Sequence, residues 1–261
     1  METQSSITTV GDILRQWRKI RRYSQLDLAS AADVSPRHLS FIETGRSKAS
    51  YELLIRLANV LQLPLRHANM LLAAGGYAQR YTHWALEDDQ TGSVKQALHY
   101  MMTQSNPYPA IVTNQTYDIL MMNEGFQRLI EWLMGNKNLI AKYINGYRLI
   151  FEDDGLKQFI VNWDDVQTLF LKRLHDESIA YQNKTLQQLY AEYSHHQMQD
   201  YIDSNYQIPV LTLSLEKDGI TLELMSILSV FGTAIDITVQ ELRIETFFPA
   251  NEETQKIFQS L

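Results

Sequence analysis

Residues 24–47 constrain this chain more than any other stretch. Ser24 and Asp27 have the spacing of a reciprocal helix cap, and Leu28, Ala29 and Ala32 follow as a small apolar face that permits a close helix crossing. The chain then has to turn at Asp33-Val34. Asp33 must supply the unusual backbone angle, which Asp tolerates better than most residues. Ser35 caps a second helix and Pro36 takes its first position, where a missing N–H costs nothing. Leu39 and Ile42 point inward with Val34. Arg37, Ser40, Phe41 and Thr44, at relative positions 0, 3, 4 and 7, share the opposite face. That face carries a cation, two hydroxyls and an aromatic ring, a set suited to base edges. Arg can bridge guanine O6 and N7, and an apolar group can touch a thymine methyl.

The flanks read as support for this unit. Val10, Ile13, Leu14, Trp17 and Ile20 recur at helical spacing, with Arg15, Arg18, Lys19, Arg21 and Arg22 mostly off that stripe. These five cations are either a solvated face or phosphate contacts; Arg18 is taken as a phosphate contact. Gly45 stops the second helix, and Arg46, Ser47 and Lys48 follow as phosphate ligands. Ser50 caps a fourth helix, and Leu65 to Ala74 form a fifth, closed by Gly75-Gly76. An all-α, five-helix domain over residues 7–76 is expected. Charge agrees with an anionic partner for this part: residues 1–80 hold 11 Lys/Arg against 6 Asp/Glu, whereas the remainder holds 12 against 24.

Residues 11–74 resemble the helix-turn-helix domain of XRE-type (Cro/repressor-like) regulators. The landmarks are Ser24-Gln25-x-x-Leu28-Ala29, Val34-Ser35 and Ile42-Glu43-x-Gly45-Arg46. The resemblance implies phosphate contacts from Gln25, Arg46 and Ser47, and a major-groove face of Arg37, Ser40 and Phe41. The chain departs from the pattern at Asp33, where Gly is usual, and at Ala49, where Pro is frequent. Neither departure removes a DNA contact.

Residues 77–106 read as a linker with a connecting helix, in which Val94, Ala97, Leu98 and Met101 form a stripe. This helix is either a dimer seam or packed on its own domain. From residue 107 the period changes from 3.6 to 2. Ala110–Thr113 and Tyr117–Met122 read as a hairpin, and Gly125–Met134 as a helix, with Asn123 at the junction. Two more helices are expected, one capped by Asn162 with Asp165 and one by Thr185. Strands return at 210–216 and 220–230, joined by Asp218-Gly219, and at 242–248. Residues 107–250 are thus expected to form an α+β, PAS-like domain, an antiparallel sheet of about five strands with helices over one face. Residues 251–261 are left as a tail.

This second part resembles the MmyB-like ligand-binding domain. The carrying segments are Tyr108-Pro109-Ala110-Ile111-Val112, Asp154-Gly155-Leu156, Ile160-Val161-Asn162-Trp163, Phe231-Gly232-Thr233 and Glu241 through Ala250. In bacterial regulators that domain follows an XRE-type helix-turn-helix, the order found here. The resemblance implies a PAS-like fold and a small apolar, fatty-acid-like ligand. A gap between sheet and helices could be lined by Phe126, Phe159, Phe170, Met225 and Ile227, with Arg148 or Arg243 meeting a carboxylate head. Alternatively these residues fill the core, and Arg243 pairs with Glu245 or Glu241.

Other chemistries find little support. There is no cysteine, so no disulfide framework or thiolate metal site. The histidines lack a ligand spacing, with His195 and His196 adjacent, and no phosphate-cradling glycine loop is present. No catalytic residue, metal or cofactor is expected, and no membrane partner. The N-terminus lacks a secretory pattern, so a cytoplasmic address is expected. The expectation is a non-enzymatic homodimer that regulates transcription from a palindromic duplex operator.

Overall fold

The computed structural model describes residues 8–135, 142–194 and 210–260. The N-terminal residues considered for a secretory pattern and the His195-His196 pair lie outside these. The chain divides into two compact units, residues 1–84 with 234–237, and residues 85–233 with 238–261.

The first unit contains the five expected helices: α1 (Val10–Ile20), α2 (Gln25–Ala31), α3 (Pro36–Glu43), α4 (Tyr51–Val60) and α5 (Leu65–Ala74). Their starts follow the caps read from sequence. Ser24 and Asp27 form a complete capping box, and Ser35 and Ser50 accept from the backbone N–H groups of His38 and Leu53. Thr9 and Asp12 build a second box at α1. Trp17, Leu28, Leu39, Leu54 and Leu71 meet in one buried core. The helices approach closely where residues are small. A Cβ on Gly11 would sit 2.2 Å from the Glu43 carbonyl oxygen, so α1 and α3 touch backbone to backbone. Residues 234–237 join this unit through a bridge between Thr82 and Asp236.

The second unit is built on a five-stranded antiparallel sheet in the order β2-β1-β5-β4-β3. Its strands are β1 (Ala110–Thr113), β2 (Ile119–Met122), β3 (Leu213–Lys217), β4 (Ile220–Ser229) and β5 (Arg243–Pro249). Asp218 and Gly219 both have positive φ, 51° and 77°, the primed turn that matches strand twist. One face, carrying Ile111, Leu215, Leu222 and Leu224, packs against α7 (Glu124–Met134) and a helical layer comprising α8 (Gly146–Phe151) and α9 (Trp163–Ala180).

The expected helices over one face are thus present. In addition, α6 (Gly92–Ser105) covers part of the other: its Leu98 and Met102 pack with Ala110, Val112, Leu242 and Ile244. β1 is consequently buried at every position. For this helix the packed alternative holds, because its stripe has a sheet to bury against.

Two expected caps and the tail need correction. Asn162 does not cap α9; its amide bridges the Thr212 carbonyl and the Ser214 N–H, pinning the chain entering β3. The next helix, α10 (Lys184–Tyr193), is capped by Asn183 rather than Thr185. A short helix, α11 (Ile237–Glu241), precedes β5, and residues 252–260 are no tail. They form α12 (Glu252–Ser260), whose Phe258 is buried and whose Thr254 hydroxyl accepts from the Glu223 N–H on β4.

Candidate DNA-reading face and ligand cavity

Asp33 takes φ +48°, the left-handed turn demanded by the crossing of α2 and α3. With Leu39 and Ile42 buried, α3 presents Arg37 and Thr44 exposed, and Ser40 and Phe41 half-buried, on its outer side. The Arg37 guanidinium lies over the Phe41 ring at 5.3 Å, so the two side chains pre-organise each other. Thr44 donates its hydroxyl to the Ser40 carbonyl at 2.8 Å, leaving its lone pairs outward. Gly45, at φ +73°, ends α3 and releases the loop carrying Arg46, Ser47 and Lys48. Arg46 and Lys48 are exposed, and the Ser47 hydroxyl lies 3.5 Å from His38 Nε2.

Glu43, the last residue of α3, which the sequence shows only as part of the Ile42-Glu43-x-Gly45-Arg46 landmark, is a hub. It is 3% exposed and accepts from Arg18 Nε at 2.8 Å, Arg18 Nη2 at 3.0 Å and Gln25 Nε2 at 3.0 Å. Arg18 Nη1 turns to the Tyr23 carbonyl. The structure therefore commits Arg18 to the interior rather than to phosphate, a correction: all three guanidinium nitrogens are engaged. Hydrogen bonding to Glu43 raises its pKa further. Gln25 stays at the start of α2, its amide aimed by the same carboxylate.

The second unit holds a cavity of about 60 Å³ between the sheet and the helical layer. Ile111, Ile119, Phe126, Leu129, Phe170 and Phe247 give it apolar walls, and Thr113, Tyr117, Arg173 and Glu245 supply its polar margin. Of the seven residues expected here, Phe126 and Phe170 line it. Phe159 is packed in the adjoining core. Met225 and Ile227 lie on the opposite side of β4. The register puts Leu224 and Ser226, paired with Pro249 and Phe247, on the cavity side, which leaves Ile227 56% exposed. Arg148 is held outside by a two-pronged ion pair with Glu192 at 2.9 and 2.8 Å. Arg243 is buried and donates to Glu177 at 2.9 Å, rather than to Glu245 or Glu241.

Arg173 and Glu177 escaped the sequence reading because, four apart on α9, they resemble an ordinary surface pair. In the fold they enter a dense polar cluster. The Tyr117 hydroxyl donates to Glu177 at 2.8 Å, and the guanidinium groups of Arg173 and Arg243 lie 5.4 and 5.3 Å from the centre of its ring. Burial pushes the Tyr117 phenol well above its usual pKa. For Arg173, burial pulls the pKa down, but the surrounding Tyr117, Glu245 and Glu177 outweigh it, and the guanidinium stays charged.

No helix among the described residues is long and apolar enough to cross a membrane. A helix-turn-helix family model matches residues 14–67, and the model of the MmyB-like transcription regulator ligand binding domain matches residues 94–261. No curated protein matches the chain. Among solved structures it is similar to "Structure of an RNA-binding Light-Oxygen-Voltage Receptor", at 14% identity over 99% of this chain and a TM-score of 0.30. This chain spans 62% of that protein. The ligand-binding-domain match covers well over half of the sequence and agrees with the sheet, helices and cavity just described. The chain belongs to the MmyB-like transcription regulator ligand-binding-domain family, with a helix-turn-helix DNA-binding domain at its N-terminus.

Proposed function

We propose that this protein is a cytoplasmic, homodimeric regulator whose operator affinity is set by a fatty-acid-like ligand in the second unit, and that it is not an enzyme. The observation that carries the reading is an apolar cavity on a chain whose α3 displays an open, polar reading face. The cavity's size supplies a mechanism. Sites that enclose drug-sized ligands run to roughly 300–1,000 Å³, whereas this one holds about 60 Å³. A hydrocarbon tail enters only if β1, β5, α8 and α9 yield, so the ligand binds the opened geometry better and shifts the population toward it. Two α3 helices about 34 Å apart would meet successive turns of a palindromic operator. Fluorescence anisotropy of labelled operator, titrated with medium- and long-chain fatty acids, tests this; unchanged affinity with all of them refutes the ligand-controlled reading.

A second reading has its own observation. Ile227 and Val230 are 56% and 61% exposed, an apolar surface suited to a ligand-free dimerisation module. Native mass spectrometry separates the two, because it reports stoichiometry and any co-purified small molecule together.

DNA contacts are checked by two variants. Arg37→Ala is expected to cost about 1–3 kcal/mol of specific binding and relax one base position. Arg46→Ala should weaken all sequences alike and flatten the salt dependence. Equal, sequence-blind losses in both would remove α3 from the role of reader.

A further inference from the structure

Two arginines, Arg173 and Arg243, lie against the Tyr117 ring, and they differ in one respect. Arg243 is hydrogen-bonded to Glu177 at 2.9 Å. Arg173 approaches Glu177 through Nε at 3.5 Å and Glu245 through Nη1 at 3.6 Å, at or beyond the outer reach of a hydrogen bond. Its Nη2 is buried and has no partner. Buried donors in folded proteins are in large majority satisfied, by protein or by ordered water. The unsatisfied nitrogen belongs to a residue on the wall of the apolar cavity, and Glu245, which also lines it, is the second carboxylate near that guanidinium. An occupant that completes the cluster must therefore bring a hydrogen-bond acceptor at one end and an apolar body behind it.

We infer that Arg173 Nη2 is the head-group subsite of the cavity and that it selects ligands ending in a carboxylate. Charge explains the choice of carboxylate over alcohol or ester. A charge-assisted bond to a permanently cationic guanidinium is roughly twice as strong as a neutral one, and the planar group suits a planar carboxylate. Glu245 opposes the incoming anion, so it tempers the affinity. The inference depends on the ligand-binding reading above but makes a narrower claim. It places recognition on α9, not on Arg148, whose Nη1 and Nη2 are held by Glu192 outside the cavity, nor on Arg243, whose Nη2 is held by Glu177.

Calorimetric titration of the full chain with decanoate and with decan-1-ol tests it, in the wild type, Arg173→Met, Arg173→Lys and Glu245→Gln, with thermal unfolding as the folding control. The wild type is expected to prefer the acid by about tenfold or more, equivalent to roughly 1.4 kcal/mol. Arg173→Met should abolish that preference by weakening the acid alone, and Arg173→Lys should retain part of it. Glu245→Gln should strengthen acid binding and leave the alcohol unchanged. This last variant decides the matter if Arg173→Met does not fold. An acid preference that survives Arg173→Met, or is unaltered in Glu245→Gln, overturns the subsite while leaving ligand binding intact, as expected if water alone satisfies Nη2. Failure of both probes to bind the wild type overturns the ligand-binding reading and the subsite with it.

Discussion

Glu43→Ala is expected to destabilise the first unit by roughly 3–5 kcal/mol, because it leaves the inward-turned Arg18 without its carboxylate. The pair is well buried, with side-chain exposures of 16% for Arg18 and 3% for Glu43. Gln25 loses its tether in the same step. Operator affinity should fall as well, since Glu43 fixes the end of α3 against both α1 and α2. Replacing both charged partners, Arg18→Met with Glu43→Leu, should recover most of the stability, as apolar residues of similar volume often substitute for a buried pair. Urea unfolding followed by circular dichroism measures all three proteins. A loss below about 1 kcal/mol for Glu43→Ala would show that the pair is as weak as a surface salt bridge.

In the second unit the largest loss is expected at Asn123. Its side-chain oxygen accepts from the N–H of Phe126, capping α7, and from the N–H of Ala110 at the start of β1. Its amide nitrogen donates to the carbonyls of Met102, in α6, and Tyr108. One 5%-exposed side chain thus ties α6, β1 and α7 together. Asn123→Ala should cost roughly 3 kcal/mol or more, a lost cap of about 1 kcal/mol plus buried groups at about 1–3 kcal/mol each. Asn123→Asp isolates the cause. Asp caps helices as well as Asn does, yet here it would aim an oxygen at two carbonyls. Comparable losses in both variants support the four-bond role. A near-neutral Asn123→Asp in thermal unfolding would reduce Asn123 to a cap.

The first unit was legible nearly residue by residue. Ser24, Asp27, Asp33, Ser35, Pro36, Gly45 and Ser50 each act within a few residues of themselves, through caps and turns whose chemistry is local. What escaped was Arg18. An arginine just off the apolar stripe of a helix reads as exposed, and only a carboxylate 25 residues later draws it inward. The second unit shows the same limit more strongly. Alternation along β4 puts Leu222 and Leu224 on one face and Met225 and Ile227 on the other, but does not say which face meets the cavity. Pairing with β5, and the helices gathered against Leu222 and Leu224, decided that. α12 was missed because the end of a chain offers few apolar residues, and Phe258 acquires meaning only beside Tyr108 and Phe247.

By itself, then, the amino-acid sequence determined the periodicities, the caps and turns, the two families it resembles and the outward face of α3, all properties of contiguous residues. Tertiary structure decided which charges are spent and which remain available. Arg18, Arg148 and Arg243 are engaged by Glu43, Glu192 and Glu177, partners 25, 44 and 66 residues away, while Arg173, on the cavity wall, keeps a buried Nη2 without a partner. The three long-range pairings follow from how helices and strands approach one another, and no spacing along the chain encodes them.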